Sequence, residues 1–192
     1  YLPEAEVLPH KNDHVPIWHV IRKPPVLALI AACFLMSAAH GPYYSFYSIY
    51  LGDHGYSKSH IGWLWALGVM CEIGVFLYIP RLFKRYALES VLMASFAIAV
   101  VRFLVIGWGI EYPELIILAQ VLHAATFGAY HAAAVALIHR TFTGRHQAKG
   151  QAFYNGISFG AGGALGSLYA GQAWDSLGAS GTFTIAAGCA LL

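Results

Sequence analysis

Residues 87–110 read ALESVLMASFAIAVVRFLVIGWGI, an apolar run with one charge, Arg102, in its interior. At about 1.5 Å per residue, about 20 such residues cross a bilayer as a helix. Comparable runs occupy 26–50, 61–83, 115–138 and 152–173, and a shorter one fills 181–192. The expected fold is all-α and membrane-embedded, with six transmembrane helices of which the last is truncated. Residues 24–192 form the helical bundle, and residues 1–23 form a polar connector rich in Pro and charge.

Composition supports this reading. The chain is 58% hydrophobic and 10% charged, whereas soluble domains hold about 45–50% and about 25%. The apolar surplus is too large for one core and is expected to face lipid. A net charge of +2 leaves no nucleic-acid footprint. Cys33, Cys71 and Cys189 lie inside apolar runs, which fits small buried hydrophobes rather than a disulfide frame or zinc site. No signal-peptide pattern opens the chain. It begins with Tyr1, and its last apolar run is too short to cross, so a piece of a longer chain is expected.

Short connectors make successive helices antiparallel, so the basic residues can be assigned to sides. One side collects Lys11, Arg22, Lys23, Arg81, Lys84, Arg85, Arg140, Arg145 and Lys149, and the other only Lys58. The positive-inside rule places the first side in the cytoplasm. The fifth run carries Gly156/Gly160 and Gly162/Gly166 at small-xxx-small spacing, a device for close helix packing.

Polar groups inside these runs mark the candidate site, because a charge near the bilayer centre costs at least about 2.5–3.5 kcal/mol. Glu72 falls at the centre of its run. Arg102 and His123 each fall about 5 Å from the centre of theirs, toward the same side, and His40 about 3 Å. Secondary transporters bind substrate and coupling ions in this midplane slab. The plain structural alternative is a Glu72–Arg102 ion pair that fixes helix packing. Asn155 and His131 lie deeper toward the cytoplasmic side. In the first run His40-Gly41-Pro42-Tyr43-Tyr44 interrupts the helix, since proline lacks the amide donor. The fourth run has Phe127-Gly128-Ala129 at nearly the matching position, as expected of two inverted three-helix repeats. Trp65 lies one heptad before Glu72, and with Tyr43 and Tyr47 it suggests an aromatic platform.

The stretch from Gly41 to Leu51, then Asp53-His54-Gly55-Tyr56-Ser57 and Ile61-Gly62-Trp63-Leu64-Trp65-Ala66-Leu67-Gly68, resembles the phenylpropionate permease branch of the major facilitator superfamily. The resemblance covers essentially the whole chain and implies helices seven to twelve of that fold. Residues 1–23 would be its central cytoplasmic loop, in the inner (plasma) membrane context of such proteins. The chain is also similar to the lactose permease group, which has an arginine in helix nine and a histidine in helix ten for sugar binding and proton coupling. Arg102 and His123 fall on these two. Where that group has a glutamate one turn after the histidine, this chain has Thr126, and Glu72 lies about one turn beyond the group's helix-eight glutamate. The loop at 80–86 keeps the superfamily's charges without its Gly and Asp.

The resulting expectation is a proton-coupled symporter of a small organic solute, not an enzyme, with Glu72 exchanging the proton and no cofactor. Its partners would be the solute and the proton, the lipid bilayer and an N-terminal six-helix half. The rival readings are a haem-binding oxidoreductase, with His40 and His123 as axial ligands, and a structural subunit without transport of its own.

Overall fold

The computed structural model describes residues 16–192. The part of the expected connector before residue 16 lies outside the described residues. Residues 16–23 contain one short helix, α1 (Ile17–Ile21), whose Ile21 is buried. Among the described residues every regular element is helical.

The first apolar run forms two helices, α2 (Pro24–Ala39) and α3 (Gly41–Asp53), which meet at His40. The cause is local. Pro42 has no amide hydrogen to give the carbonyl of Ala38, one turn back. That carbonyl instead faces Gly166, where a methyl group would sit 2.5 Å from its oxygen. The second run is one helix, α4 (Lys58–Arg85), capped by Ser57, whose Oγ accepts from the amide of His60 at 3.2 Å. The third is α5 (Leu88–Trp108). The fourth is α6 (Pro113–His123) and α7 (Tyr130–Thr141), joined through a π-helical turn at Ala124–Ala129. This turn occupies the position where the sequence marks a break.

After a short turn at Gly144–His146 come α8 (Gln147–Asn155), a second π-helical stretch (Gly156–Gly162) and α9 (Gly163–Leu191). The connector expected at 175–180 is not a loop. Helix runs up to and on from one residue, Gly178, whose φ of 68° and ψ of −176° reverse the chain. The rings of Trp174 and Phe183 meet across the reversal, 6.4 Å apart, and Tyr50 touches both.

Packing directions follow from the contacts. The first limb of α9 runs beside α2 and α3 in the same sense. Gly162 lies against Phe34, Gly166 against Ala38, Ser167 accepts from Ser45 at 3.1 Å, and Trp174 stacks on Phe46 at 4.7 Å. The second limb runs opposite to α5: Ser180 and Phe183 meet Gly107, while Ala190 lies near Leu92 and Val100. Of the two glycine pairs, Gly162/Gly166 supplies the close helix approach. Gly156 has open space where a side chain would be.

Among the described residues four segments, Pro24–Asp53, Lys58–Arg85, Leu88–Trp108 and Pro113–Thr141, are long and apolar enough to cross a membrane. α4 sits at the edge, packed on α6 and the first π-helical turn. Its Trp63, Met70, Ile73 and Leu77 are exposed, as suits a surface facing lipid or further helices rather than water. At the end of the bundle that carries Arg85, Glu89 pairs with Arg140, tying α5 to α7.

Candidate functional site

The largest fully buried side chain is charged. Arg102, on α5, is 0% exposed. Its Nε donates to the Ala119 carbonyl at 2.8 Å, and its Nη1 to Thr126 Oγ1 at 3.5 Å. Its guanidinium carbon lies 4.2 Å from the Tyr43 ring centroid and 5.3 Å from that of Phe103. Nη2 has no hydrogen-bond partner. The first π-helical turn places Thr126 within this reach, and its hydroxyl donates back to the His123 carbonyl at 3.3 Å. Wide turns of this kind recur at functional sites.

Glu72 does not pair with Arg102, which removes the structural alternative of a Glu72–Arg102 ion pair. Its Oε1 is instead 2.8 Å from His123 Nε2. Depth along a helix places Glu72 and Arg102 in one slab, but rotation about the helix axes turns them apart. Arg102 faces α6 and α3, whereas Glu72, half-buried, meets His123 near the surface of the bundle. His123 Nδ1 is buried without a partner.

Tyr43 lies at the centre of the cluster. Its hydroxyl donates to Gln120 Oε1 at 2.8 Å, and its ring touches His123 at 5.0 Å, Tyr47 at 5.0 Å and Trp65 at 4.8 Å. Trp65 Nε1 donates to Ser48 Oγ at 2.9 Å, so α4 is joined to α3 here. His40, at the α2–α3 break, donates from Nδ1 to the Met36 carbonyl at 2.9 Å. Its ring lies 5.9 Å from that of His123.

Glu72, Arg102, His123, His40, Tyr43, Tyr47, Trp65 and Thr126 are therefore one contiguous group. Asn155 is not part of it. It is exposed on α8 and accepts from Gln151 at 3.2 Å. His131 stacks on Phe127 at 6.2 Å, with Tyr154 and Phe159 beyond. Two members escaped the sequence reading. Gln120, fully buried, is the amide that holds Tyr43. Its signal was an amide in an apolar run, three residues before His123 and thus on the same helix face. Phe127 stacks on His123 at 5.4 Å, and read alone it is one apolar residue among many. A cleft of about 240 Å³ opens beside the group, lined by Ser37, His40, Tyr44, Phe127, Phe159 and Ser167.

Long apolar helices around a buried polar centre define a multi-pass membrane protein. The profile of the MFS_1-like family matches residues 4–185, and the chain belongs to that family of the major facilitator superfamily. It is similar to the probable 3-phenylpropionic acid transporter of Escherichia coli (strain K12), with 35% identity over 162 residues. That match covers 84% of this chain and 42% of the relative, so the chain spans less than half of the relative's length. No solved structure matches the chain.

Proposed function

We propose that this chain is the C-terminal six-helix half of a secondary transporter, built as two inverted three-helix repeats. It carries a small organic solute together with a proton by alternating access. The solute is an aromatic acid of the 3-phenylpropionate kind, with sugars and nucleosides as alternatives to be tested. The N-terminal connector and basic loops lie in the cytoplasm, the protein in the plasma membrane, and the other six helices complete the cavity.

The observation that carries this reading is the 2.8 Å contact between Glu72 and His123 beside the buried, ion-pair-free Arg102. A carboxyl group touching an imidazole in an apolar setting exchanges a proton at little geometric cost. Arg102 adds a fixed positive charge, which favours an anionic solute or an ionised Glu72 but not two further cations. Trp65 and the tyrosines supply flat apolar faces with polar edges for a ring. The packing argues against the haem reading: His123 Nε2 is held by Glu72, and its ring is stacked on Phe127.

The test uses the full-length parent in proteoliposomes. Aromatic acids, sugars and nucleosides are added in turn while external pH is followed without an imposed gradient. Alkalinisation with one class supports symport and names the substrate. No pH change with any class, in folded protein, removes the symport reading.

A further inference from the structure

We infer that His40 is a positioning residue for the proton, holding a water against His123 and linking the Glu72–His123 pair to the 240 Å³ cleft. This rests on the proton-exchange reading of Glu72. The tautomer of His40 is fixed by its partner. A carbonyl oxygen only accepts, so the hydrogen bond to Met36 places the His40 proton on Nδ1. Nε2 is then a bare acceptor, and it is buried without a hydrogen-bond partner. His123 mirrors it. With Nε2–H donated to the Glu72 carboxylate, its Nδ1 is also a bare acceptor, buried and unpartnered.

Two buried acceptors on rings 5.9 Å apart call for a donor with two hydrogens. A water molecule carries two such hydrogens and takes the place of the missing donor. His40 lines the cleft whereas His123 does not, so His40 stands between the proton site and the entry path. The ionisable groups facing His40 are Tyr44 from α3, Arg102 from α5 across Phe103, His123 from α6 and Tyr130 from α7. Arg102 already supplies one cation, so His40 acts as the water's acceptor and not as a second cation.

The step balances. An excess proton reaches the bridging water from the cleft. The water passes one proton to His123 Nδ1 while the Nε2 proton moves to Glu72 Oε1. One N–H bond forms at Nδ1, one breaks at Nε2, and one O–H bond forms on Glu72, which becomes neutral. His123 ends as the other neutral tautomer, donating to the same water, and His40 keeps its proton on Nδ1 throughout.

The test is a proton jump on the full-length parent, followed by the infrared band of protonated Glu72, assigned by its loss in Glu72→Gln. His40→Phe keeps the ring's bulk without the acceptor, and is expected to slow the band's appearance by about 100-fold, the scale of one positioned proton-transfer group. His40→Gln restores an acceptor and most of the rate. Equal rates in wild type and His40→Phe overturn the role of His40 and leave proton exchange at Glu72 standing. Equal slowing in His40→Phe and His40→Gln also overturns it, since shape rather than the acceptor would then matter. A wild type without the Glu72 band overturns both this inference and the symport reading.

Discussion

Gly41 and Gly166 touch backbone to backbone: a methyl group on Gly41 would overlap the carbonyl carbon of Gly166. This contact brings the α2–α3 break and α9 together beside the cleft. Replacing either glycine with alanine is expected to force the helices apart and cost about 1–3 kcal/mol, as overpacking does. Thermal unfolding in detergent measures it. Gly156→Ala, where the space is open, should leave the midpoint unchanged or raise it, because alanine is the better helix former.

For the proposed symport, the Glu72–His123 contact separates proton exchange from architecture. Glu72→Gln keeps a carbonyl oxygen for the His123 hydrogen bond at 2.8 Å. The unfolding midpoint should therefore hold. Proton-driven accumulation should fall by about 100-fold, while exchange of solute for solute at equal concentrations continues. Loss of exchange along with accumulation would assign Glu72 to solute binding.

Arg102 is held by geometry that a point charge does not reproduce. Its flat fork donates to the Ala119 carbonyl while lying over the Tyr43 ring. Arg102→Lys keeps the charge but not both contacts, and should cost about 1–3 kcal/mol. The melting temperature with and without the substitution tests this directly.

Tyr43→Phe removes only the hydroxyl that donates to Gln120. The ring stays under Arg102, and the cost should be about 1–3 kcal/mol for a buried amide oxygen left unpaired. Tyr43→Phe combined with Gln120→Leu should recover part of that loss, since the orphaned acceptor is then gone. A double-mutant cycle reads the coupling.

The long apolar runs were legible because their length alone matches the thickness of a bilayer. The break at His40 was legible because Pro42 removes a donor wherever it sits in a helix. Depth was legible as well, since the rise per residue is fixed, and Glu72, Arg102, His123 and His40 do cluster. Rotation was not. A helix that is apolar all round shows no face, so the pairing of Glu72 with His123 and the turning of Arg102 toward Ala119 lay beyond the sequence. The gap between the runs 152–173 and 181–192 implies a short connector, whereas a single glycine conformation performs the turn.

That turn at Gly178 sets a direction. The backbone there adopts angles open essentially to glycine alone. Without it α9, 29 residues long, would be a rod of about 44 Å, longer than the hydrocarbon layer and ending on the far side. With it, the second limb runs back along α5, and Ala190 comes to lie beside Leu92 and Val100 of that helix. One residue without a side chain thus sets the direction in which the last helix limb runs.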